Sequence, residues 1–391
     1  MNARINPIAV IGFATLMALS TIHGQEAVKR TTSQRPQIEV CFALDTTASM
    51  SGLIEGAKAK IWSIANQMIS AKPTPLLKIG MIGYRDRGDE YVTKVYDLNE
   101  DIDTVYSNLR SLSAGGGGDL PESVNQALFE AVNKMSWSPG NHLLKIVFLV
   151  GDCPPHMDYG DDATYSATCQ SAMKKDVIIN TIQCGTYPET AQVWQEVARL
   201  AEGTYVSIGQ TGGMQVISTP MDKALADLNV EIGRTLVPYG SETRMREVKA
   251  KQAASESAAA PAAAERLAFN ATTGKVVQGG GDLVDDLRSG SAKLEGLKDQ
   301  DLPAQLRGQT TKEQHAYLDQ QAAKRDELQA KITDLVKQRQ AYLDAEMKKP
   351  AADGKDNSFD SKIAQIIQDQ ARRKGITYST ELQGLDRSEK K

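Results

Sequence analysis

The chain has 391 residues, enough for a sizeable core and for two or three domains. With 45 basic and 49 acidic side chains its net charge is −4, which gives no basis for binding nucleic acid or an anionic membrane surface. Aromatic residues make up only 5%, as in a chain with much exposed helix.

Taken in order, the chain opens on Arg4 and an apolar stretch over 8–19, interrupted only by Gly12 and Thr15. This predicts a signal peptide over 1–24, ending at Gly24. The stretch is too short for a comfortable membrane span, and an uncleaved anchor is the alternative. No cysteine lies near its end, so a lipoprotein is not expected. No other stretch reads as a span, so the mature chain is expected to be periplasmic or secreted.

From 37 to 238 strand and helix patterns alternate. Strands are predicted over 38–44, 77–84, 91–98, 143–150, 177–183 and 204–208. Helices are predicted over 53–70, 103–111, 122–135, 163–174, 190–201 and roughly 221–236. Runs such as 146–150 and 177–182 are almost wholly apolar, the mark of strands buried on both faces. The short 85–90 turn makes the third strand an antiparallel edge. The expected fold is α/β, a doubly wound, mostly parallel, six-stranded sheet of Rossmann-like type.

Residues 239–265 read as an Ala-rich linker, and 266–391 as a mostly helical region. The stretch 311–348 reads as one long helix with Leu328, Ile332, Leu335 and Tyr342 on a 3–4 spacing and Arg339 as an imperfect seam position. A short coiled coil, with self-association, is one reading. Packing against Ile363, Ile366 and Ile367 of a second helix is the favoured one. The cysteines Cys41, Cys153, Cys169 and Cys184 match no zinc spacing. In an exported protein a disulfide is permitted, with Cys153 and Cys184 at strand ends and Cys169 as a competing partner.

Three loops carry the chemistry. The first strand runs out into Asp45-Thr46-Thr47-Ala48-Ser49, and the fourth into Gly151-Asp152. A carboxylate and two hydroxyls at alternate positions can converge on a hard cation such as Mg²⁺, Ca²⁺ or Mn²⁺. In a doubly wound sheet, ligands bind outside the carboxyl ends of the strands where their order reverses. The third loop is Gly115-Gly116-Gly117-Gly118-Asp119-Leu120-Pro121-Glu122. Asp119 reads either as a ligand or, with Glu122 three residues on, as a helix cap.

Asp45-Thr46-Thr47-Ala48-Ser49 resembles the D-x-S/T-x-S motif of von Willebrand factor type A domains. In that family the motif forms a metal-ion-dependent adhesion site, with a Thr from a second loop and an Asp from a third. Asp152 matches the third loop, while Asp119 stands where Thr is usual. The resemblance covers about 37–238 and implies a divalent cation, Mg²⁺ foremost with Ca²⁺ or Mn²⁺ as alternatives. Its implied ligands here are Asp45, Thr47, Ser49, Asp119 and Asp152, and its implied partner is a protein that offers an Asp or Glu.

Two other functions fit the residues less well. A phosphatase-like hydrolase with Asp45 as nucleophile needs an acid two residues on, where Thr47 stands. The glycine run lacks the Lys-Ser/Thr of a phosphate-binding loop, and His142, His156 and His315 sit in no recognisable triad context. A structural envelope protein assembled through its C-terminal helices is the other alternative. Gly88-Asp89 is what a tight hairpin turn needs; Arg85–Arg87, His156 and Asp158 read as rim residues of the site or, the favoured reading, as plain surface loop residues.

Overall fold

The computed structural model describes residues 35–347 and 358–378; the expected signal peptide lies outside them. In chain order the first part comprises β1 (Gln37–Asp45), α1 (Ser51–Ile69), β2 (Leu76–Tyr84), β3 (Thr93–Asn99), α2 (Ile102–Ser111) and α3 (Val124–Asn133). Then come β4 (Leu144–Gly151), α4 (Tyr165–Lys174), β5 (Val177–Cys184), α5 (Pro188–Leu200), β6 (Tyr205–Ile208) and α6 (Asp222–Gly233). Five further helices follow: α7 (Glu242–Glu256), α8 (Ala260–Thr273), α9 (Leu283–Arg288), α10 (Thr311–Met347) and α11 (Phe359–Arg372).

The strands form one sheet in the order β3-β2-β1-β4-β5-β6, all parallel except β3, which pairs antiparallel with β2. Alternate side chains serve opposite layers. Val40, Phe42 and Phe148 face a core shared with α1 and α2, whereas Cys41, Ala43 and Val147 face one shared with α3 and α5. Burial on both faces explains why these strands are apolar almost throughout. Strand order reverses between β1 and β4, so their carboxyl ends flank the crevice where a ligand can lie.

The C-terminal third is helical, as expected, but its packing differs from the expectation. The segment expected as a linker forms α7 and the start of α8, with Ala263 and Ala264 buried. Pro261 sits in the first turn of α8, where a missing N–H costs nothing, and alanine lets two helices approach closely. Leu328, Ile332 and Leu335 of α10 lie in a different apolar cluster from Ile363, Ile366 and Ile367 of α11. Ile332, Leu328 and Leu335 pack with Leu225, Leu228 and Leu267 of α6 and α8. Arg339, the imperfect seam residue, is buried and paired with Asp222 and Glu265 at 2.7 Å each. Ile363, Ile366 and Ile367 of α11 join the sheet core instead, where Phe359 meets Phe42 at 6.5 Å between ring centres. The described residues from 35 onward thus form one compact unit.

No described helix is long and apolar enough to cross a membrane. All four cysteines are free thiols, three of them buried, so the disulfide permitted by the sequence is not formed.

Candidate metal centre

β1 carries Asp45 to the end of the sheet, where it is fully buried. Its Oδ1 accepts from the Thr47 N–H at 2.8 Å and from the Thr47 hydroxyl at 2.6 Å, and Thr47 Oγ1 lies 3.3 Å from Ser49 Oγ. Oδ2 has no hydrogen-bond partner among the described residues. Burial pushes the Asp45 carboxyl up to about 7; the bonds from Thr47 oppose this and the neighbouring Asp152 adds to it.

β4 approaches Asp45 through Gly151. A Cβ there would stand 2.5 Å from Tyr84 Oη and 2.9 Å from Asp45 Cβ, so no larger residue fits. The next residue, Asp152, is half-buried. Its Oδ2 accepts from Gln210 Nε2 at 2.7 Å, and the same amide reaches the Ser49 carbonyl at 3.3 Å. Gln210, in the loop after β6, therefore staples the loops that follow β1 and β4 together.

The glycine loop is anchored by the Gly115 N–H, which donates to the Thr46 carbonyl at 3.0 Å. Gly116 and Gly117 have φ of 75° and 85°, and the Gly117 N–H donates to Asp89. A Cβ on Gly117 would lie 3.6 Å from Thr47 Cβ and 3.8 Å from Glu122 Oε1. The loop thus lays Glu122 beside the first motif. Glu122 is buried and its Oε2 is unpartnered. Burial first, then the charges of Asp45, Asp86, Asp89 and Asp152, push its carboxyl up to about 9.

Asp45, Thr47, Ser49 and Asp152 are therefore brought together, and Glu122 joins them. Asp119 lies elsewhere: it is exposed, with Oδ2 3.6 Å from His156 Nε2. Its expected cap is not formed. Pro121 and the Glu122–Pro155 bridge keep the backbone extended, and α3 starts only at Val124 with no side-chain cap. His156, expected as a surface loop residue, is buried against Asp86. Arg85 is likewise buried, a clamp that donates to the carbonyls of Thr46 at 3.1 Å and Ser113 at 2.7 Å. Arg87 is exposed and paired with Asp161 and Asp162, and Gly88 turns the chain with φ of 98°.

Sequence reasoning missed Glu122 and Gln210 as parts of the site. Glu122 carried a signal, since it follows a glycine run, but the same residue also completes a capping pattern. Gln210 carried none. The donor set fits a hard divalent cation: Asp45, Glu122 and Asp152 supply carboxylates, Thr47 and Ser49 hydroxyls. No Lys or Arg among the described residues pairs with any of the three carboxylates.

Residues 39–221 match the family model described as von Willebrand factor A domain. The chain carries such a domain there, inside a longer helical assembly. Solved structures similar to it include the conserved hypothetical protein BatB from Bacteroides thetaiotaomicron, 17% identical over 44% of this chain and 90% of that one, with a TM-score of 0.33. An aerotolerance-related membrane protein from Bacteroides fragilis is 17% identical over 44% and 92%, with a TM-score of 0.31. The SpRpn10 VWA domain is 17% identical over 46% and 91%, with a TM-score of 0.35. None of the curated proteins compared matches the chain.

Proposed function

We propose that this chain is an exported, non-enzymatic protein-binding module whose A domain engages an acidic side chain of a partner in a cation-dependent way. The observation that carries this reading is the buried Asp45 carboxylate, with one oxygen unpartnered, facing Glu122 and Asp152 without a basic residue to balance them. Such a cluster is costly unless a cation offsets it. Asp45, Thr47, Ser49 and Asp152 would hold the ion, with Glu122 within reach. A bound Mg²⁺, or Ca²⁺ or Mn²⁺ in its place, would supply a position open to an anionic oxygen. Thr47 holds the Asp45 carboxylate in one orientation, and Gln210 holds Asp152. Exposed Ser49 and the glycine loop leave the site facing solvent. No described side chain stands there as a positioned base or nucleophile with a histidine relay.

The test is titration of the full chain with Mg²⁺, Mn²⁺ and Ca²⁺, beside capture of partners from the native cell envelope in Mg²⁺ and in EDTA. Wild type should bind one hard cation that Asp45→Ala does not, and capture should fail in EDTA. Cation-dependent hydrolysis of generic phosphatase, esterase or protease substrates, lost in Asp45→Ala, would overturn the binding reading. Export is tested separately by fractionating cells and determining whether the mature chain starts after Gly24.

A further inference from the structure

A second group of donors lies beside the first site and shares no ligand with it. Asp86, Asp119 and His156 each offer one atom, and these atoms lie within 4.8 Å of one another. We infer that they form a second cation site, suited to a borderline transition ion of the Zn²⁺ class rather than to Mg²⁺.

The imidazole carries this inference. His156 is only 6% exposed, and its Nε2 has no hydrogen-bond partner among the described residues. Its Nδ1 lies 2.8 Å from Asp158 Oδ1. An ionised carboxylate only accepts, so Nδ1 bears the hydrogen and Nε2 presents its lone pair. Nε2 lies 3.3 Å from Asp86 Oδ2 and 3.6 Å from Asp119 Oδ2, with its in-plane direction aligned on neither for a hydrogen bond. A lone pair this close to two carboxylate oxygens is repulsive unless a cation sits among the three. A doubly protonated ring is the alternative, but Nε2 makes a hydrogen bond to neither oxygen.

The distances suit a small tetrahedral ion. Bonds of roughly 2.0–2.1 Å, as for Zn²⁺ to nitrogen and oxygen, place neighbouring ligands roughly 3.3–3.4 Å apart. The donor set points the same way, because imidazole with carboxylate suits Zn²⁺ and its neighbours, whereas the all-oxygen first site suits Mg²⁺. Two of the ligands are held in place. Asp86 accepts from Ser123 Oγ at 3.0 Å and from the Tyr159 hydroxyl at 2.9 Å. The His156 ring stacks on Tyr159 at 4.2 Å, and the histidine–carboxylate pair with Asp158 is the arrangement that orients metal-bound imidazoles. Asp119, on the exposed loop, completes the triad and leaves a fourth position toward solvent.

The second site stands whether or not Asp45 binds Mg²⁺, and Co²⁺ is the probe that separates them. The full chain, stripped with chelator, is titrated with Co²⁺ in the Asp45→Asn background, so that the first site is blanked. One equivalent should bind with the strong visible bands of a four-coordinate N/O site, lack sulfur-to-metal charge transfer, and be displaced by Zn²⁺ but not by excess Mg²⁺. His156→Ala should abolish the bands. Asp119→Ala, exposed and so without consequence for folding, should weaken binding tenfold or more. Matching unfolding temperatures in chelator verify that each variant is folded; if His156→Ala is not, Asp119→Ala decides. Absence of bands, as for an imidazolium ion pair, overturns the inference. So does binding unchanged in both variants, which marks an adventitious ion at His142, His315 or a cysteine.

Discussion

Asp45 and Glu122 tie stability to pH. Burial raises Asp45 from its ordinary 3.8 to about 7, and Glu122 from 4.5 to about 9. Between those limits the native, cation-free protein holds protons that the unfolded chain has released. The unfolded state then binds fewer protons, so these two groups make stability fall as pH rises from about 4 toward 9. A bound cation favours the charged forms and reverses the trend. The expected outcome is that Mg²⁺ raises the unfolding temperature more at pH 8 than at pH 5.5. Asp45→Asn should raise the cation-free stability at pH 8 by on the order of 1–3 kcal/mol while removing the Mg²⁺ response. Scanning fluorimetry across pH with Mg²⁺ or EDTA reads both; a cation effect equal at the two pH values counts against the site. Glu122→Gln should flatten the upper part of the slope. These residues differed in how far the sequence disclosed them. Asp45 and Asp152 end apolar strands, where a cap or a turn accounts for a carboxylate less well than a cation does. Glu122 was ambiguous because a helix cap and a cation ligand call for the same side chain. His156 looked like a loop residue because nothing local signals that Asp86, seventy residues earlier, closes over it.

At the scale of elements, β1, β2, β4 and β5 were legible to within a residue or two because doubly buried strands have no polar face to blur their ends. The helices after 241 were harder. Alanine, lysine and glutamine suit a linker, a coiled coil or a packed helix equally, and only tertiary contacts decide. Those contacts are buried ion pairs as much as apolar ones. Arg266 of α8 grips Asp103 of α2 with two hydrogen bonds, at 2.6 and 3.0 Å, with both side chains almost wholly buried. Arg325 of α10 does the same for Asp282 and Asp285. Removing one partner leaves the other charge buried and alone, which costs about 3–5 kcal/mol. Arg266→Ala should therefore destabilise the whole protein by that amount in urea unfolding. Arg266→Leu combined with Asp103→Leu should recover much of the loss, because the pair is then replaced by apolar contact. A loss below about 1 kcal/mol in the single variant would show that α8 does not hold α2 in solution.

At the scale of the molecule, the sequence suggested an A domain with a detachable tail, whereas the structure makes the tail part of the core. α11 places Phe359, Ile363, Ile366 and Ile367 against α1 and the sheet, each no more than 5% exposed. Gln370 and Asn180 of β5 exchange hydrogen bonds at 2.7 and 3.1 Å, both side chains buried. The Phe359 N–H donates to the Gly212 carbonyl at 2.8 Å, in the loop that also carries Gln210 to the candidate metal centre. Burying four such side chains contributes about 6–12 kcal/mol. That is comparable to the whole stability of a typical domain, about 5–15 kcal/mol. Cutting the chain after Pro238 should therefore not release a sound A domain. The expected result is a fragment that aggregates or binds hydrophobic dye, with α1 and Phe42 uncovered. Limited proteolysis of the intact chain should spare 241–266, since α7 and α8 bury Val248, Ala263, Ala264 and Leu267. A milder variant tests the same dependence at the site. Phe359→Ala should cost about 3–5 kcal/mol and also loosen the loop that carries Gln210. Its Mg²⁺ affinity should fall although Phe359 touches no proposed ligand. A 35–238 fragment that unfolds cooperatively at the temperature of the full chain and binds Mg²⁺ equally well would show instead that the A domain is independent of its tail.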